Sequence, residues 1–411
     1  MNKTLDLLIL GAGPTGLIAG VIAKQRGLNF LILDSNDRIG KKLSITGKGR
    51  CNLTNYNTDL KDLIDTYFDN KKFLFHAFSE FGVEDTIKFF NEELNIPTKV
   101  ERGNRVFPEN DKAQDIIDAF ENILKDNIQL NTKVEDILLE GKEIAEIKTD
   151  KGNFKAKNYL LCTGGKSYPI TGSTGDGYIW AEKMGHTVVE PKPALVAVTT
   201  KEDFVKDLEG LSLKNVKISV WQDCKKKVER FGEALFTSVG MSGPVVIDMG
   251  RDIGDLLENG KTKLRIDFKP ALDSKTLDER ILRDLKDANN KAIKNSLDKL
   301  LPKKLIPVMI NLSKIHPDTK ASQLSKEERK SLLNNLKGLE LTVSGLEGWD
   351  RAIVTAGGVS TREIDPNTVQ SKIINNLYFG GEILDVYGPT GGYNLQICWS
   401  TGVLVGRSIN I

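Results

Sequence analysis

Histidine, the side chain most often used for acid–base catalysis, is nearly missing: the 411 residues contain only His76, His186 and His316. The four cysteines, Cys51, Cys162, Cys224 and Cys398, lie far apart, with no C-x-x-C pair and no histidine at a metal spacing. That excludes a zinc ribbon or a disulfide scaffold and points to a reducing, cytoplasmic setting. No window approaches the roughly eighteen apolar residues needed to cross a bilayer. The first ten residues lack the basic start, long apolar stretch and small-residue cleavage site of an export signal, and read as a buried strand. An excess of charge of one sign is absent too: 58 Lys+Arg against 56 Asp+Glu leave +2, which argues for neither nucleic acid nor an anionic membrane as partner. There is no internal repeat and no low-complexity tract. What the chain does have is length for two or three domains of roughly 150 residues, and 37 glycines gathered in clusters. Clustered glycine marks close approaches of backbone to a ligand.

The first cluster is Gly11-Ala12-Gly13-Pro14-Thr15-Gly16, placed after the apolar run Leu5–Leu10 and before a helical stretch over residues 15–26, with a second apolar run at Phe30–Leu33. Strand, helix and strand within thirty residues predict a βαβ unit of a parallel sheet. Gly11 permits the tight turn, Gly13 lets backbone approach a pyrophosphate, Gly16 lets helix and strand pack closely, and Pro14 and Thr15 open the helix whose free N–H groups face the phosphates. Asp34, eighteen residues after Gly16, stands where a carboxylate accepts ribose hydroxyls. This motif alone does not separate NAD from FAD.

Three further segments favour the longer cofactor. Residues 39–52 form a loop with Lys41, Lys42, Thr46, Gly47, Lys48, Gly49, Arg50, Cys51 and Asn52, combining cations with bare backbone as an anionic ligand requires. An apolar strand ends in Thr163-Gly164-Gly165 and is followed by Thr174-Gly175-Asp176. A last apolar strand ends at Gly381-Glu382, ahead of Gly392-Tyr393-Asn394-Leu395, where a second helix N-terminus can hold another part of the same molecule.

Elsewhere the pattern is helical over residues 60–94, whose phenylalanines read as core, and over a helix capped by Asn110 or Asp111. Short strands at 128–130, 134–139, 144–148, 154–156 and 159–162 predict a β meander set between two strands of the parallel sheet. After Pro191 and Pro193 the chain reads as β segments to about residue 270, including 216–220 and 245–248; residues 274–336 are helical and lysine-rich, with a capping box at Ser325 and Glu328. The lysines alternate with acids and predict a solvated face. From residue 341 the strand-and-glycine style returns. The expected organisation is an α/β nucleotide-binding domain made of 1–192 plus 340–411, an inserted β-rich substrate domain of 193–272 plus about 337–346, and a helical subdomain of 273–336.

Taken together, T-G-x-G-R-C-N-x-T-N at 46–55, G-N-R-V-F-P at 103–108, the segment from Ser167-Tyr168-Pro169 to Tyr178, V-T-A-G-G-V at 354–359 and G-E-I-L-D followed by G-P-T-G-G-Y-N-L-Q make the chain resemble a bacterial flavoprotein family. That family includes aminoacetone oxidase and the BaiN-like (YhiN-type) bile-acid reductases. The resemblance spans nearly the whole chain. It implies a glutathione-reductase-like Rossmann FAD-binding domain, with extended FAD held at its ADP half by Gly11, Gly13, Gly16 and Asp34. It further implies that backbone near Val134 borders the adenine, that Gly381 and Glu382 reach the ribityl and pyrophosphate, and that Gly392 to Leu395 offer N–H groups to the flavin. One departure is plain: the family reads a histidine where this chain has Ser238, so no acid–base role carries over there.

No metal, paired-carboxylate or Ser-His-Asp site can be assembled from the sequence. His76, His186 and Cys51 read as packing, and the catalytic group is left open, with Lys48, Arg50 and Tyr168 as the polar candidates. A second G-x-G-x-x-G is missing, which excludes a separate NAD(P) domain of the glutathione-reductase kind. The expectation is a flavin working at one pocket, reduced by transient NADH or NADPH or by an amine, and delivering electrons to a small unsaturated molecule or to dioxygen. The alternatives are an amine oxidase of the aminoacetone type and an RNA-modifying flavoprotein. Oligomeric state is left open.

Overall fold

The computed structural model describes residues 4–409; the outermost residues of the predicted nucleotide-binding domain, 1–3 and 410–411, lie outside them. Leu5–Leu10 is apolar at every position but Asp6, so both of its faces must be covered, and Leu7, Leu8 and Ile9 are fully buried. It is the centre of a five-stranded sheet ordered Leu377–Phe379, Ala156–Leu161, Leu5–Leu10, Phe30–Leu33, Ile128–Gln129, parallel throughout. The helices Pro14–Gln25 and Tyr393–Ser408 pack together through glycine: a Cβ on Gly402 would lie 2.5 Å from Ile18 Cγ2 and 2.6 Å from the Thr15 carbonyl oxygen. The meander is present as Val134–Glu140, Glu143–Thr149 and Gly152–Phe154, antiparallel.

Five of the phenylalanines of residues 60–94 are core, with Phe89 and Phe90 packed against Phe120 and Trp399, but Phe68 is half-buried and Phe75, expected in the core, is 57% exposed. The stretch is not one helix, however. Asn70 at φ +55° and Gly82 divide it into Leu60–Thr66, Phe75–Glu80 and Val83–Lys88 with shorter turns. The helix Ala113–Leu124 is capped by Lys112 and not by Asn110 or Asp111; the Asn110 amide oxygen instead accepts the Lys112 N–H at 3.1 Å, turning the chain before the helix starts.

The described residues divide into two compact units, one running to Pro193 and resuming at Trp349, the other Ala194–Gly348. The second holds a closed six-stranded barrel ordered Val198–Thr200, Gly240–Ser242, Lys225–Phe236, Ser212–Gln222, Thr262–Asp267, Leu339–Leu346. Leu339–Leu346 closes it, which keeps residues 340–348 with the barrel and moves the return to the first unit from the expected 340 to Trp349. Residues 245–248, read as a strand, are part of a helix, Pro244–Asp248. Gly243 at φ +92° turns the chain and Pro244 starts a helix at no cost in hydrogen bonds, and these outweigh the β-branched run. The helices Ser274–Asp287 and Lys326–Gly338 bury Leu277, Ile281, Leu332 and Leu336 in one cluster with Leu264, Ile266 and Leu341 of the barrel. The Ser325–Glu328 capping box is formed in both directions. No helix among the described residues is long and apolar enough to cross a membrane.

Candidate flavin site

The three glycines of the first turn have different surroundings. Gly11 has φ +119° and a Cβ there would meet the Cys162 carbonyl oxygen at 2.7 Å; one on Gly16 would meet the Gly11 carbonyl oxygen at 2.0 Å. A Cβ on Gly13 meets nothing within 4 Å. Gly11 and Gly16 are therefore glycine for packing, and Gly13 faces open space at the N-terminus of Pro14–Gln25, where helix N–H groups lack intrahelical partners. Thr15 is buried against the last turn, its hydroxyl 2.3 Å from where a Gly381 Cβ would be.

Asp34 leaves the second strand and accepts the Ala12 N–H at 2.7 Å through Oδ2, and the Asn36 N–H and amide at 2.8 and 2.9 Å through Oδ1. Three of about four lone-pair sites are used, so the carboxylate is rigidly aimed and keeps room for a ribose hydroxyl. The Thr132 N–H donates to the Asp34 carbonyl at 2.9 Å, and directly beyond it a cleft of about 380 Å³ is lined by Lys133, Val134, Glu135, Asp176, Ile179 and Trp180. Val134 thus lines a cavity two residues on from Thr132, which is bonded to Asp34. Trp180 escaped sequence reasoning, although its place four residues after Asp176 on the helix Asp176–Lys183 puts both on one face.

The loop of residues 42–52 is held in left-handed backbone at Gly47, Lys48, Gly49 and Cys51, with φ of 56°, 62°, 83° and 60°. The Thr46 hydroxyl donates to the Leu43 carbonyl at 2.7 Å. Arg50 is spent on anchoring: it donates to Asp111 at 2.6 and 2.9 Å and to Glu101, and lies 4.0 Å over the Phe107 ring. Its hydrogen bond holds the Glu101 carboxyl below the usual range, and Lys99, then Arg50, do the same for Asp111. Cys51 is fully buried, and burial pushes its thiol up to about 12, so no thiolate nucleophile forms there. Lys48 is exposed and Tyr168 half-buried at φ +52°; neither side chain has a hydrogen-bond or ionic partner among the described residues.

At the end of Ala156–Leu161, Gly164 has φ +75° and Gly165 presses on Thr355, whose hydroxyl would sit 2.2 Å from an added Cβ. Gly175 at φ +87° caps the helix that Asp176 opens, and Thr174 N–H closes the preceding turn onto Gly172. Lys42 and Glu382, predicted as separate cofactor contacts, meet as an ion pair at 2.7 Å with Ser167 between them. Ser167 and Thr355 were not singled out from sequence, though both lie in segments that were.

Gly392 at φ +104° starts the helix Tyr393–Ser408, and a Cβ on it would come within 2.3 Å of the Thr54 carbonyl carbon. The Tyr393 carbonyl accepts the Tyr67 hydroxyl at 2.8 Å. The Asn394 side chain braces the preceding loop, donating to the Gly388 carbonyl at 2.8 Å and accepting the Gly388 N–H at 2.9 Å. One turn into the helix, buried Gln396 joins Thr54, Thr86 and Ser400 in a hydrogen-bonded hub that fixes the helix start. The histidines stand outside this machinery: His186 is buried, bonded to Ser371 at 2.7 Å and packed on Phe379, and burial lowers its pKa; His76 is half-buried and His316 exposed. Ser238 is an exposed residue of the second unit.

Two observations bear on whether FAD fits. The Thr163 hydroxyl and the Asn52 amide oxygen are buried without a hydrogen-bond partner, an arrangement that costs free energy unless a ligand completes it. The open space before Gly13 and the two long helices starting at Pro14 and Tyr393 suit an extended dinucleotide with an anionic centre. The residues present fit the group.

Residues 5–408 match the family described as HI0933-like protein Rossmann domain. Over 406 residues, 97% of this chain and 98% of the relative, the sequence is 34% identical to the 3-dehydro-bile acid delta(4,6)-reductase of Clostridium scindens. It is 29% identical over 421 residues, the full length of both, to the ribosomal RNA dihydrouridine synthase of Haemophilus influenzae. Among solved structures, the 3-ketosteroid delta1-dehydrogenase of Sterolibacterium denitrificans in complex with 1,4-androstadiene-3,17-dione aligns over 99% of each chain with a TM-score of 0.53 at 12% identity, a likeness of fold alone.

Proposed function

This chain belongs to the HI0933-like protein Rossmann domain family and is an FAD-dependent oxidoreductase; from that premise we propose that it saturates a carbon–carbon double bond conjugated to a carbonyl in a small organic molecule, with NADH or NADPH as reductant. The observation that carries this reading is the full-length similarity to a reductase of a 3-dehydro-bile acid. A ketone at position 3 makes double bonds at 4 and 6 electrophilic, and the change from uridine to dihydrouridine likewise saturates a ring double bond beside a carbonyl. Both reactions add a hydride and a proton across an activated alkene, so conjugation to a carbonyl is what the two relatives' names share.

Bound FAD supplies the hydride chemistry, and the protein supplies orientation and electrostatics. The N-terminus of Tyr393–Ser408 would offer its positive end to the negative charge that accumulates on a reduced flavin. Lys48 and Tyr168, the polar candidates whose side chains make no internal bond, are proposed to hold the substrate carbonyl and to deliver the proton. Arg50 keeps the loop in place and is not proposed to touch substrate. The single dinucleotide fingerprint supports a donor that binds transiently, so that NAD(P)H and acceptor would meet the cofactor in turn.

The same saturation on a uracil base of ribosomal RNA is the second reading, favoured by the full-length match to the Haemophilus influenzae relative, while a net charge of only +2 disfavours a polyanionic partner. The test is anaerobic mixing of the purified yellow protein with NADH or NADPH, followed by a steroid enone, unmodified ribosomal RNA or aminoacetone with dioxygen. Bleaching by NAD(P)H and recovery of colour with the enone are expected. Recovery only with RNA selects the second reading, peroxide from aminoacetone selects an amine oxidase, and no bleaching with any donor overturns the proposal.

A further inference from the structure

We infer that Lys42, Ser167 and Glu382 form a latch that fixes the flavin loop, and that Glu382 is a positioning residue acting through this latch. Its carboxylate is occupied from within the protein: Oε1 accepts the Ser167 hydroxyl at 2.7 Å and the Thr355 N–H at 2.9 Å, and Oε2 accepts the Lys42 ammonium at 2.7 Å. Lys42 also donates to the Ser167 hydroxyl oxygen at 2.6 Å, and the Thr355 hydroxyl accepts the Lys166 N–H at 2.8 Å. Four segments remote in sequence therefore close into one ring of donors and acceptors: the loop of residues 39–52, the turn after Ala156–Leu161, the strand Val354–Val359 and the Gly381-Glu382 turn.

The pair is largely withdrawn from water, with 20% and 17% of the two side chains exposed and Ser167 fully buried. A pair so placed persists only while each partner is present, because the survivor is left charged and poorly solvated. The loop needs such restraint. Its left-handed run at residues 47–49 is held at the far end by Arg50 on Glu101 and Asp111, and at the near end by Lys42. Presentation of Lys48 between the two anchors thus depends on Glu382 across 340 residues of chain.

This inference rests on the FAD reading, and its test is kept separate from turnover. Apoprotein of K42M, E382Q and the double variant is titrated with FAD, and the visible circular dichroism and midpoint potential of the bound flavin are recorded. K42M raises the FAD Kd by about tenfold or more, lowers the midpoint potential because an unpaired carboxylate opposes reduction, and alters the dichroism. E382Q sets an amide N–H against the ammonium and weakens binding as well. The double variant relieves both faults and binds FAD at least as tightly as K42M. S167A, which keeps both charges, shows the dichroism change with a smaller Kd effect and serves if K42M fails to fold. Effects of the two single changes that multiply in the double variant, or a K42M protein with wild-type Kd and dichroism, overturn the latch. Failure of wild-type protein to take up FAD at all instead defeats the flavin reading.

Discussion

The two units of this chain are built on opposite principles. In the first, backbone geometry decides at the candidate site: Gly11, Gly16 and Gly392 stand where any side chain would collide with main-chain atoms, while Gly13 faces open space. In the second, side-chain volume decides, with Phe236, Leu264, Ile266, Ile281 and Leu336 fully buried in one continuous core. Gly240 and Gly243 make close backbone approaches there too, and Gly243 turns the chain into the helix Pro244–Asp248. A site made of backbone tolerates no substitution at a few positions, whereas a core made of volume tolerates graded loss at many.

The contrast is sharpest at Gly16 and Gly13. Gly16→Ala forces a Cβ to 2.0 Å from the Gly11 carbonyl oxygen, and the expected result is loss of FAD binding with a stability cost of about 3 kcal/mol. Gly13→Ala should leave apoprotein unfolding in urea unchanged while FAD titration shows weakened affinity. In the barrel, Phe236→Ala should cost about 3–5 kcal/mol in the unfolding of the second unit and leave FAD affinity intact. If the Gly13 variant proves as unstable as the Gly16 variant, the division of labour among the glycines fails.

A smaller effect separates the units by pH. Burial raises the Cys51 thiol from its ordinary 9.0 to about 12. The folded state holds that proton more tightly than the unfolded chain, so the stability it contributes is complete below pH 9 and is lost as pH rises toward 12. Burial also raises the Cys162 and Cys398 thiols of the first unit, so the loss of that unit's stability across this range should be shallower in C51A than in wild type, and not abolished, when followed by denaturant unfolding. The smallest effect belongs to the second unit: Ser325→Ala removes the cap accepted from Glu328 and should lower its stability by about 1 kcal/mol, measured by the same unfolding.

The fold of the first unit was legible because its signals are local: a strand, three glycines, a helix and an acid within thirty-four residues leave few arrangements. The meander and the capping box were legible for the same reason. What escaped is non-local or depends on competing local signals. Nothing in the spacing of Lys42 and Glu382 shows that they meet, and Arg50 reads as a ligand cation until Glu101 and Asp111 are seen beside it. Residues 245–248 carry β-branched side chains, yet Gly243-Pro244 overrides them. The break of residues 60–94 into short helices turns on Asn70 and Gly82, which hydrophobic periodicity does not register.

The second unit begins and ends on neighbouring strands. Val198 pairs with Leu346 and Thr199 with Gly345, and the Glu347 N–H donates to the Ala197 carbonyl at 2.9 Å. The polypeptide thus enters and leaves this module through a single doorway, so a short tether could stand in for all of it. Such a seam lends itself to grafting: descendants of one ancestor could trade this cassette for another of different shape, acquiring new chemistry partners without rebuilding the nucleotide-binding body.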